Sequence, residues 1–220
     1  MRRREFIAVP ALALGGAILD SLAHESRRAR RVGESVLVPL RFFTSQEARV
    51  IEAACERIFP RDASGPGATD AGVVVYIDRQ LAGPYGRDAY RYVTPPFVDS
   101  LPQHGYQGRE TPRDTYRAGI RALGDFANLT AAEQDAKLVT IEHSRFFGLL
   151  RAHTIEGVFS DPIHGGNTNL VGWKLIGFPG PHVQYRSDID KHFGEKWRPA
   201  PAGLAQITGR SPVPFEDERE

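Results

Sequence analysis

Apolar residues recur at helical spacing in five stretches of the chain, and the first four open on a recognisable start signal. Thr44-Ser45-Gln46-Glu47 is a capping-box pattern with Phe43 placed as a staple before it. Val50, Ile51, Ala54, Cys55, Ile58 and Phe59 then form one stripe, and Pro60 ends the helix. Asp70 reads as the cap of a second helix with Val74, Val75, Ile77, Asp78 and Leu81 inside and Gly83-Pro84 as the stop. The Val73-Val74-Val75 triplet has strand preference, but no partner strand is evident, so helix is favoured. Thr111-Pro112-Arg113-Asp114 supplies a cap, a first-turn proline and an acid for a third helix, whose stripe is Tyr116, Ile120, Leu123 and Phe126. Asn128-Leu129 breaks it. Thr130-Ala131-Ala132-Glu133, a second capping box, opens a fourth through Leu138 and Ile141. The fifth runs from about Ser144 through Phe146, Phe147, Leu149, Leu150, Ile155 and Phe159. This pattern predicts an all-α fold: a small irregular helical domain of about five helices over 42–197, with long ordered loops and a Pro-rich, acidic tail over 198–220.

Between and after these helices lie segments with their own chemistry. Residues 84–109 are dense in Tyr, Pro and Gly (Tyr85, Tyr90, Tyr92, Pro95, Pro96, Phe97, Tyr106), a composition suited to a binding surface. Thr154 to Gly180 combines Asp161-Pro162 and Gly165-Gly166-Asn167 turn chemistry with Phe159, Leu170, Trp173, Leu175, Ile176 and Phe178. The large apolar side chains argue for an ordered loop. It reads either as a buried structural loop or as a surface built to dock something.

Composition narrows the function. The chain has 220 residues, 41% hydrophobic and 25% charged, enough to bury a core without staples. A formal charge of +1 gives no reason to expect nucleic acid as partner. The single cysteine, Cys55, excludes an intrachain disulfide and the Cys-x-x-Cys-His attachment of c-type haem, and its place in a helical stripe marks it as a small buried hydrophobe. Residues 1–23 read as an export signal: basic residues, an apolar run from Ile7 to Leu19, and a small-residue exit at Ser21-Leu22-Ala23. Arg3-Arg4-x-Phe6-Ile7 resembles a twin-arginine signal, whose pathway carries folded proteins. The apolar run is shorter than the ~20 residues that span a bilayer core. Removing 1–23 leaves a formal charge of zero, and 24–41 begins as a charged linker.

Candidate chemistry is sparse. Glu142, His143, His153, Glu156, Asp161 and His164 fall close together, and His153 and Glu156 share a helix face as ligands of a carboxylate–histidine metal centre would. No matching carboxylate pattern recurs on another helix, so hydrogen bonds that tether helix and loop explain these residues more simply. G-x-S-x-G, phosphate-loop and dinucleotide motifs are missing. The alternatives are therefore an accessory or binding protein with no catalytic residues and an independent metal-dependent enzyme using Glu142, His143, His153 and Glu156.

The run Phe159-Ser160-Asp161-Pro162, Gly165-Gly166-Asn167, Gly172-Trp173-Lys174 and Ile176-Gly177-Phe178-Pro179-Gly180 resembles the gluconate 2-dehydrogenase subunit 3 (small, gamma) family. Phe42-Phe43-Thr44 through Ile58-Phe59-Pro60 is similar to that family's N-terminal helix, and the resemblance covers roughly Phe42 to Tyr185. Ile163-His164 departs from it, a tyrosine being expected before Gly165-Gly166. The resemblance implies a cofactor-free small subunit of a periplasmic complex held at the cytoplasmic membrane. Its partners would be an FAD-containing large dehydrogenase subunit and often a multihaem cytochrome c subunit carrying haem c. The small subunit would supply the export address (Arg3, Arg4, Phe6) to the twin-arginine translocase and escort its folded partner. Phe159, Asp161, Pro162, Gly165, Gly166, Asn167, Gly172, Trp173, Gly177, Phe178, Pro179 and Gly180 are then expected to shape the interface.

Overall fold

Helix α1 (Ser45–Ile58) starts where its sequence signal lies: Thr44 Oγ1 accepts from the Glu47 N–H, and the Glu47 carboxylate accepts from the Thr44 N–H at 2.8 Å. The computed structural model describes residues 39–92, 95–97, 101–182 and 185–209. Arg3, Arg4, Phe6, the proposed signal and linker through 38, and the tail from 210 onward lie outside the described residues.

Four more helices of ten residues or longer follow: α2 (Val73–Ala82), α3 (Pro112–Leu123), α4 (Ala131–Thr140) and α5 (Arg145–Phe159). Reciprocal capping boxes open α3 at Thr111/Asp114 and α4 at Thr130/Glu133, and the Ser144 hydroxyl caps α5. Such a cap contributes about 1 kcal/mol each. Three shorter helices, α6 (Val171–Ile176), α7 (Arg186–Lys191) and α8 (Leu204–Thr208), lie in segments the periodicity left as loop or tail. They are too short to carry a readable 3.6-residue stripe. Among the described residues there is no β-strand; Asp62 and Gly65 make one isolated bridge.

Two sequence expectations are corrected. Asp70 does not cap α2. The helix begins after Gly72, whose φ of 67° no side-chain cap accompanies, while the Asp70 carboxylate accepts from Gly67 N–H and pairs with Arg61. The α3 stripe stops at Gly124, not at Asn128-Leu129, and Phe126 reaches the core from a separate 3-10 turn.

The core is built where α1 meets α2, α3, α4 and α5, and where α5 packs on α2 and α3. Ile51, Ile77, Leu81, Leu123 and Phe126 are wholly buried there. Gly119 makes the α3–α5 approach possible, because a Cβ at this position would sit 2.2 Å from the Phe146 ring. A buried acid fixes the N-terminal segment: the Asp78 carboxylate accepts from the backbone N–H groups of Arg41, Phe42 and Phe43 at 2.7–3.0 Å. The Arg117 guanidinium lies 4.1 Å from the Phe42 ring centroid and donates to the Phe42 carbonyl. Arg113 donates to the carbonyls of Leu81 and Ala82, satisfying the open end of α2.

Candidate functional site

The loop after α5 is ordered by one asparagine and three close backbone approaches. Helix α5 ends at Phe159, and Asp161 Oδ1 accepts from Ile163 N–H at 3.0 Å to start a 3-10 turn, Pro162–His164, that Gly165 closes at φ 102°. Asn167 is wholly buried and left-handed, with φ 47°. Its N–H donates to the Gly157 carbonyl (2.7 Å), its Nδ2 donates to the Ser160 carbonyl (2.9 Å), and its Oδ1 accepts from Gly172 N–H (2.8 Å). One side chain thus closes the end of α5 and the start of α6. Asn169 and Leu170 are also left-handed, at φ 55° and 58°, a conformation that Asn tolerates and that Leu adopts only where the surroundings enforce it.

The buried glycines are contact points. A Cβ on Gly166 would meet the Gly157 carbonyl at 2.1 Å, one on Gly172 the Val158 carbonyl at 2.0 Å, and one on Gly180 the Ala202 carbonyl at 2.1 Å. Trp173 is buried, and its Nε1–H donates to the Phe159 carbonyl at 2.7 Å. Helix α6 ends in a Schellman arrangement: Gly177 takes φ 69°, its N–H reaches the Lys174 carbonyl, and Phe178 N–H reaches the Trp173 carbonyl. Phe178 then meets Trp173 edge-on, with ring centroids 5.0 Å apart. Phe159 packs edge-on against Phe59.

This rigid frame leaves a different set of side chains outside. Leu175, Ile176 and Phe178 are exposed, Ile176 by 59%. The segment after it does not leave the body: Ala202 N–H donates to the Pro179 carbonyl, and Leu204 N–H to Asp161 Oδ2 at 2.8 Å. The described part of the tail therefore folds back on the chain's own loop, where the sequence left it draped over a partner or disordered. Together the loop and this strap enclose a groove of about 460 Å³. In the aromatic 84–106 segment, Tyr90 and Tyr92 project into solvent, and Tyr106 is covered by the Arg145 guanidinium at 3.5 Å.

The residues proposed as metal ligands do different jobs. Glu142 and His143 sit in the exposed turn between α4 and α5. His153 is buried, its Nδ1 bonded to the Tyr116 hydroxyl at 2.8 Å and its Nε2 to the Tyr85 hydroxyl at 2.9 Å. Both ring nitrogens are thereby occupied; a neutral imidazole donates to one tyrosine and accepts from the other. Burial holds His153 below the usual histidine range, and burial likewise raises Tyr116 and Tyr85. The Tyr76 hydroxyl donates to Glu156 at 2.9 Å. Asp161 is committed to its turn and to the strap, and His164 points outward from the 3-10 turn. Among the described residues no group of three or more His, Cys, Asp or Glu could hold a metal ion. The tyrosine pair around His153 escaped the sequence reading; the signal was a lone histidine on the apolar face of α5. Cys55 is also buried, its Sγ accepting from Thr154 Oγ1, and burial pushes its thiol up to about 12.

A family model described as Gluconate 2-dehydrogenase subunit 3 matches residues 45–180, which takes in α1 through Gly180 and so the whole of the loop. No curated protein and no solved structure matches the chain.

Proposed function

The chain belongs to the gluconate 2-dehydrogenase subunit 3 family, a subunit of a dehydrogenase complex, and from that premise we propose that it is the non-catalytic small subunit of a periplasmic FAD-dependent dehydrogenase. The complex would oxidise a gluconate-, fructose-, glucose- or sorbitol-type substrate. FAD would belong to the large subunit and haem c to a cytochrome subunit, so the redox chemistry lies in those chains. This one stabilises the flavoprotein and, through Arg3, Arg4 and Phe6, takes it to the twin-arginine translocase as a folded pair.

One observation carries this reading: the loop is locked by Asn167, Trp173 and its buried glycines, yet presents Leu175, Ile176 and Phe178 to solvent. A fixed frame that exposes large apolar side chains loses little entropy on docking and removes that surface from water, as interface cores do. The metal-dependent alternative has no comparable support, since His153 and Glu156 are satisfied by tyrosines and Glu142 and His143 lie elsewhere.

The escort role is tested by changing Arg3 and Arg4 together to Lys in cells that express the large subunit. The large subunit is expected to stay in the cytoplasm. Its full appearance in the periplasm would sink the escort role.

A further inference from the structure

The groove between the loop and the strap has apolar walls and a basic rim. Ile176 and Phe178 stand on one side, and Trp197, Pro199 and Pro201 on the other. Trp197 is held flat against His192, with centroids 4.6 Å apart and planes 9° from parallel, so this wall is preset. Lys174 and Arg198 line the same groove, and neither has a carboxylate partner among the described residues. Aromatic and proline walls fit an extended, proline-containing segment, whose fixed φ makes docking cheap in entropy. The two cations favour an acidic continuation of it.

The chain itself contains such a segment. Ser211–Glu220 reads SPVPFEDERE, two prolines and Phe215 followed by four acids against one arginine. It lies outside the described residues and begins two positions beyond Gly209, at the end of α8. We propose that this C-terminal segment occupies the groove, with Pro212, Pro214 and Phe215 against the apolar walls and the acidic end over Lys174 and Arg198. Reach permits it: the six residues from Gly209 to Phe215 extend to about 20 Å. Helix α8, which separates Gly209 from the strap residues of the groove, is only about 8 Å long. Tethering also holds the segment at a high effective concentration, so weak contacts suffice. The segment would cover Ile176 and Phe178 in the free chain, and a large subunit that docks on them would displace it.

The test places the photoreactive aromatic p-benzoylphenylalanine at position 215 of the full chain. Irradiation is followed by mass-spectrometric mapping of the products from a mixture of isotopically heavy and light protein. Cross-links within one chain to Ile176, Phe178 or Trp197 are expected. The pair Lys174→Glu and Arg198→Glu should remove most of that product without changing the circular dichroism spectrum. Cross-links between chains would show instead that a second copy fills the groove. Cross-links elsewhere on the chain, no product at all, or a yield indifferent to the two charge reversals would each overturn the proposal.

Discussion

Asn167 shows how much one side chain decides. Its amide joins the Ser160 carbonyl to the Gly172 N–H in a buried loop, and its backbone holds a left-handed conformation that Asn tolerates better than most residues. Asn167→Ala removes both bonds and leaves two backbone groups unpaired, so a loss of about 2–4 kcal/mol is expected in urea unfolding. The Asn was legible in the sequence as turn chemistry; its burial was not, because a turn residue is ordinarily at the surface. Cys55 is the opposite case. The sequence placed it correctly as a buried helix residue, and the structure adds a thiol pushed up to about 12 by burial. An alkylating reagent at mildly alkaline pH is expected to leave native protein unmodified and to label it fully in denaturant.

Helix α5 carries the clearest pH dependence. Its buried face includes His153, Thr154 and Gly157 alongside Phe146, Leu150 and Val158, while Ile155, counted in the stripe, is exposed. Periodicity found the helix and, Ile155 apart, the apolar residues that pack on the core, but not its buried polar members, because polar residues with internal partners sit in a core as well as apolar ones. Since burial holds His153 below its usual range, the unfolded chain binds more protons than the folded one as acidity increases. Its contribution is complete above about pH 6.5 and is lost as pH falls through that value, by up to roughly 1.4 kcal/mol per pH unit. His153→Phe should flatten this part of the stability profile measured by thermal unfolding. At neutral pH it should cost about 1–3 kcal/mol, because the buried Tyr116 hydroxyl loses its partner.

At the scale of the molecule, the family pattern and the exposed apolar side chains meet on one loop. If that loop docks the flavoprotein, Ile176→Glu should leave stability within about 0.5 kcal/mol, since Ile176 is exposed, yet reduce co-purification of the large subunit. Unchanged co-purification would remove Ile176 from the interface. Trp173, buried a few residues away, could not make this distinction, because its truncation would harm the fold and the assembly together.

Local patterns along the chain suffice for the five main helices and for the family. Capping boxes join residues three apart, and stripes repeat every 3.6 residues, so both are written in local order. The tertiary structure alone decided what those helices hold in place. Asp78 fastens Phe43 across 35 positions, Asp161 fastens Leu204 across 43, and Tyr85 meets His153 across 68. Such pairings leave no periodic trace, because each requires two distant segments to be packed before its donor and acceptor can meet. For the same reason the glycines of the loop were visible as turn residues, whereas their function as points of contact with α5 and the strap emerged only from the folded chain.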